Sequence, residues 1–135
     1  LFGYEEITVM GEKIIVSDLE RSVLDALDRP HLVGGIEAAA QVVFHAGKKM
    51  DWRKLLKYLR RFDDSALARR LGYLCEVLGV AMPAVAHSYL SAQAKRLPPY
   101  LGSPRRWGTE GERDRRWSLI LNVPREELMG EVHIG

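Results

Sequence analysis

The sequence predicts an α+β fold in a single domain: an N-terminal β-hairpin, a core of five helices, a long basic loop and a C-terminal strand that joins a small sheet. Three observations carry this reading. Two short β-branched runs flank Gly11, five stretches between residues 17 and 95 repeat apolar residues at helical spacing, and an apolar run returns only at Trp117–Val123.

The hairpin comes first. Tyr4–Met10 alternates loosely to Gly11-Glu12, and Lys13–Val16 is apolar and β-branched. Ser17-Asp-Leu-Glu20 then has the form of a capping box, with Ser17 expected to take the Glu20 amide and Glu20 to reach back. Leu19, Val23, Leu24 and Leu27 make one stripe of the first helix, which Pro30 ends. Gly34-Gly35 permits a change of direction before a second helix, about Ile36 to Ala46, closed by Gly47.

Asp51 caps a third helix, where Trp52, Leu55, Leu56 and Leu59 share a face and Arg53, Lys54, Lys57, Arg60 and Arg61 fill the remainder. Asp63 or Asp64 starts a fourth, with a buried stripe of Leu67, Leu71, Leu74, Cys75 and Leu78 and a stop at Gly79. Pro83 opens a fifth, running to about Lys95. Residues 98–116 mix proline, glycine and charge without periodicity and read as a loop. Trp117–Val123 reads as a strand that Pro124 ends.

The 135 residues suit one domain, 1–135, and the 47% apolar and 28% charged content is that of a globular chain. No apolar run approaches the roughly 20 residues of a spanning helix. LFGYEE lacks the form of a signal peptide, and Cys75 alone can form no internal disulfide, so a reducing cytoplasm is the expected setting. Leu1 in place of an initiator methionine marks the chain as an expected fragment.

The net charge of +2 divides unevenly. Residues 1–47 carry three basic and eight acidic side chains, net −5, and residues 48–135 carry 17 and 10, net +7. An anionic partner is expected for the second part and a cationic one for the first, against the plainer reading of solvated helix faces.

Motifs for chemistry are absent. His31, His45, His87 and His133 have no metal-ligand spacing, and neither GxSxG nor a phosphate-binding glycine loop occurs. Cys75 sits on an apolar stripe, where a thiol is inert. Glu20, Asp25 and Asp28 with His31 could be arranged as a general acid–base or divalent-metal set. Helical spacing instead pairs Arg21 with Asp25 and leaves Glu20 on another face.

Two basic clusters remain. Arg53, Lys57, Arg60 and Arg61 with Arg69 and Arg70 are expected to form one ridge across two helices. Arg105, Arg106, Arg113, Arg115 and Arg116 are interleaved with Trp107 and Trp117, a combination suited to phosphate contact and stacking. No base-reading motif accompanies either cluster.

The segment VSDLERSVLDALDRPHLVGGIEAAAQ after a strand resembles the C-terminal domain of AbiEi-type antitoxins, the antitoxin and transcriptional regulator of type IV toxin-antitoxin systems. Ser17, Glu20, Arg21, Ser22, Val23, Leu24, Asp25, Pro30, Gly34 and Gly35 fill the family's pattern, with Ser22 where threonine is more usual. Arg70-Leu71-Gly72-Tyr73-Leu74 and Trp117–Asn122 resemble two further segments, so the likeness runs from about Tyr4 to Val123.

The resemblance implies a non-enzymatic domain without cofactor that opposes a nucleotidyltransferase-like toxin and assists DNA binding. The winged-helix domain typical of full-length members is missing from this sequence. The expected contacts to duplex DNA phosphates are Arg53, Lys57, Arg60, Arg61, Arg69, Arg70, Arg105 and Arg106. The alternatives are a general protein-interaction module and a metal-dependent nuclease using Glu20, Asp25 and Asp28.

Overall fold

A computed structural model describes residues 2–93 and 98–130. The fold is α+β, with two separate two-stranded antiparallel sheets on a helical core. Strands β1 (Tyr4–Val9) and β2 (Glu12–Ser17) pair from Tyr4 opposite Ser17 to Val9 opposite Glu12, through the two-residue turn Met10-Gly11. This hairpin projects from the body, and Ile7, Val9, Ile14 and Ile15 remain exposed along it.

Helix α1 (Leu19–Asp28) begins one residue later than the capping box requires. Ser17 still pairs in β2, so the non-helical cap is Asp18, whose Oδ1 accepts the Arg21 amide at 2.8 Å. Glu20 is correspondingly freed from the box. Its Oε2 accepts the Asp51 amide at 2.8 Å and ties α1 to the start of α3. A 3₁₀ turn at Pro30–Leu32 follows, then Gly34 and Gly35 at φ of 110° and 107°, a region that side-chain-bearing residues avoid.

Helices α2 (Ile36–Ala46), α3 (Trp52–Phe62), α4 (Ser65–Leu78) and α5 (Ala84–Ser91) complete the five expected. Asp51 caps α3 through the Lys54 amide, and Asp64 caps α4 through those of Ala66 and Leu67. Asp63 instead ends α3 in the left-handed region. Gly47 ends α2 while keeping right-handed helical angles. Helix α5 stops earlier than the sequence implied, and the expected end at Lys95 lies outside the described residues.

Helix α4 is the hub, touching α1, α2, α5 and the short C-terminal helix α7 (Arg125–Met129), which sequence periodicity did not reveal. Residues Leu67–Cys75 are buried except Arg70, which is half-buried. Trp117, fully buried, packs against Gly72, where a Cβ would collide with its ring.

Residues 98–116 are not a plain loop. They hold a helical turn α6 (Pro104–Trp107) and strand β3 (Glu112–Asp114), which pairs with β4 (Leu119–Leu121). The predicted strand is therefore shorter than Trp117–Val123. On β4's other side, Tyr100 bridges to Ile120. Buried Asn122 fixes this arrangement, because its amide donates to the Gly102 and Gly108 carbonyls while its Oδ1 accepts the Gly102 amide.

Candidate functional site: a basic helix face and a cationic cleft

Seven of the eight predicted phosphate contacts separate into two places, and the eighth, Arg69, is buried in the core. Helix α3 turns by about 100° per residue, so Arg53, Lys57, Arg60 and Arg61 fall within an arc of about 100°. Leu55, Leu56, Tyr58 and Leu59 occupy the opposite side and are buried. The amphipathic pattern thus turns the four cations outward, and all four are exposed. None has a carboxylate within 4.0 Å among the described residues. Two are steadied by aromatic rings: Arg60 lies 5.0 Å from the Tyr89 centroid and Arg61 lies 4.4 Å from that of Phe2.

The ridge does not continue onto α4 as predicted. Arg69 is 3% exposed, with Nη1 donating to the Ser118 carbonyl at 3.0 Å, so it serves the core. Its burial follows from the central position of α4, covered on more than one side. Arg70 also turns inward. Its Nε and Nη2 donate to the Tyr100 carbonyl at 3.0 and 2.9 Å, pinning the 98–108 segment to α4. Burial pulls the Arg70 pKa down, and neighbouring Arg69 adds to this while Asp64 opposes it. An arginine nonetheless stays protonated.

Arg105 and Arg106 stand on α6, beside Arg70 rather than beside α3. Arg106 pairs bidentately with Glu37 at 2.8 and 2.5 Å and lies 4.7 Å from the Trp107 centroid. A Cβ at Gly35 would strike that ion pair, which is why the second glycine of the pair suits this approach. Arg105 is exposed, with no carboxylate within 4.0 Å among the described residues. Together Arg70, Arg105 and Arg106 border a cleft of about 850 Å³, which Leu27, Ile36 and Leu101 also line.

Of the second cluster, Arg116 pairs with Glu76 at 3.1 Å, and Arg113 reaches Ser118 Oγ at 3.4 Å. Trp117 donates its indole N–H to Glu76 at 2.7 Å from full burial, so it offers no stacking surface. Two residues that the sequence does not single out complete the cleft: Tyr100 holds Arg70, and Asn122 holds the cleft wall. The apolar run around Asn122 was the available signal, since a buried amide requires partners.

The carboxylates of the alternative metal or acid–base set, Glu20, Asp25 and Asp28, are separately engaged. Glu20 takes the Asp51 amide and approaches Lys54 at 3.5 Å, Asp25 pairs with Arg21 at 2.9 Å, and Asp28 lies 3.9 Å from Arg29. Among the described residues no group of three or more histidine, cysteine or acidic side chains could hold a metal ion. His133 lies outside them. Cys75 is buried and its thiol is pushed up to about 12 by burial, which removes it as a nucleophile near neutral pH.

One polar cluster joins α1 to α3. Asp18 Oδ2 accepts from Tyr58 Oη at 2.5 Å and lies 3.1 Å from Lys54 Nζ. Burial pushes the Asp18 carboxyl up, but the hydrogen bonds from Tyr58, the Arg21 amide and Lys54 outweigh it and leave the pKa lowered. The bond to Asp18 in turn raises Tyr58 and Lys54. No helix of the described residues is long and apolar enough to cross a membrane. No family model, no curated protein and no solved structure matches the chain.

Proposed function

We propose that this chain is a cytoplasmic, non-enzymatic antitoxin and transcriptional-regulator domain of the AbiEi type, opposing a nucleotidyltransferase-like toxin and meeting duplex DNA through α3. The observation that supports the DNA contact is the outward face of Arg53, Lys57, Arg60 and Arg61, four cations without a carboxylate within 4.0 Å among the described residues. Such a face gains by releasing condensed counterions from phosphates, which gives affinity without sequence readout. The antitoxin role rests on the resemblance of residues 16–41, 70–74 and 117–122.

Binding to duplex DNA measured across salt concentrations tests the contact. The logarithm of affinity should fall with that of salt by about 0.9 per phosphate neutralised. Changing Arg53, Lys57, Arg60 and Arg61 together to Gln should lower the slope by about 3 to 4 and weaken binding to all sequences alike. An unchanged slope rejects α3 as the DNA surface. The exposed hairpin residues Ile7, Val9, Ile14 and Ile15 favour a second reading, a protein-interaction module. Co-expression with the neighbouring gene separates the two, since a toxin neutralised equally by the α3 variant assigns that activity to another surface.

A further inference from the structure

The cleft beside Gly34-Gly35 shares no lining residue with α3. Its volume of about 850 Å³ is that of a small-molecule site. Apolar walls come from Leu27, Ile36, Leu101 and Pro104, and two aromatic residues, Tyr100 and Trp107, also line it. Such walls favour a flat apolar body.

The charge is as specific as the walls. Arg70 is drawn from solvent with its Nε and Nη2 both donating to one neutral carbonyl, and no carboxylate lies within 4.0 Å of it among the described residues. Asp64 and Asp28 act on this charge only from beyond contact distance, so an oxyanion seated directly on Arg70 in the cleft would further offset the cost of withdrawing the cation from water. Arg105 on the rim adds a second fork suited to phosphate. Arg106 is already committed to Glu37 and serves to brace Trp107. Asp28 also lines the cleft and offers an acceptor for an exocyclic amine or a hydroxyl.

We propose that this cleft binds a small organic anion of the class of a nucleoside monophosphate, with its phosphate on Arg70 and Arg105 and its ring against Tyr100 and Trp107. A phosphate alone leaves the apolar walls unfilled, and a nucleoside alone leaves Arg70 without an anion in contact. Both halves are therefore required for affinity.

Titration of the isotope-labelled chain with AMP, GMP, CMP and UMP, followed by NMR, tests the proposal. At least one should bind with a Kd of about 1 mM or tighter and move the Gly34, Gly35 and Trp107 indole signals. Adenosine and inorganic phosphate should each bind about tenfold more weakly or worse. Arg105→Gln, an exposed position that leaves the core intact, should weaken the nucleotide about tenfold, whereas Arg53→Gln on α3 should leave it unchanged. Because Arg70 anchors the Tyr100 carbonyl, Arg70→Gln is a poorer probe than Arg105→Gln. The proposal is overturned if none of the four nucleotides moves those signals. It is equally overturned if Arg105→Gln binds as the parent does, or if inorganic phosphate binds as tightly as the nucleotides.

Discussion

At Gly72 helix α4 runs so close to Trp117 that a Cβ would fall within the indole's own volume. The ring has nowhere to go, being fully buried and anchored through its N–H to Glu76. Gly72→Ala sets two effects against each other. Alanine is the better helix former by about 1 kcal/mol, but overpacking a fixed core ring costs about 2–4 kcal/mol. A net loss of about 1–3 kcal/mol is expected in urea unfolding, and a variant at least as stable as the parent would show that the ring yields. Arg69 illustrates why such detail escapes the sequence. It reads as surface charge, yet its guanidinium satisfies a carbonyl of a distant strand turn, and nothing local to α4 announces that partner.

Elements with local signals were legible. Asp51 and Asp64 cap, Pro30 and Gly79 stop, and the stripes between them repeat at helical spacing, so α1 to α4 follow from short-range chemistry. Segments α6, β3 and α7 are too short to show periodicity and are held from far along the chain, as Asn122 holds Gly102 and Gly108. The hairpin is intermediate: its strands were readable, but its attachment was not. Arg21 makes that attachment, lying 4.5, 5.0 and 4.7 Å from the rings of Phe2, Tyr4 and Phe62 while donating to Asp25 and to the Phe2 carbonyl. A two-stranded hairpin is marginal in water by itself. Arg21→Ala should therefore strip hydrogen-exchange protection from β1 and β2 while α4 stays protected, with a global loss of about 2 kcal/mol. Arg21→Lys keeps the charge without the planar fork and should fall between. Unaltered protection of β1 and β2 in Arg21→Ala would mean that the strands need no tether.

Across the whole molecule, the opposed charges of the two parts are partly spent within the fold. Lys54 meets Asp18 and Glu20, and Arg106 meets Glu37, so each pair joins the acidic first part to the basic second. This explains the uneven legibility of the sites. The α3 face could be read because its four cations lie on one helix, whereas the cleft draws on α1, the Gly34-Gly35 turn, α4 and the 99–107 segment. Joining those parts also makes stability depend on pH through Asp18. Its carboxyl pKa is lowered in the fold, so the folded state binds that proton less readily than the unfolded chain. The stabilisation is therefore present above the ordinary carboxylate value of 3.8 and is lost as pH falls through the lower folded value. Protonation would also weaken the bonds to Lys54 and Tyr58 that join α1 to α3. Urea midpoints should accordingly drop on acidification below about pH 4, and Asp18→Asn, which keeps an acceptor for the Arg21 amide, should drop less steeply. The remaining carboxylates are common to both proteins, so the difference between the two curves isolates Asp18. Parallel curves would show that the cluster of Asp18, Tyr58 and Lys54 makes no contribution to acid unfolding.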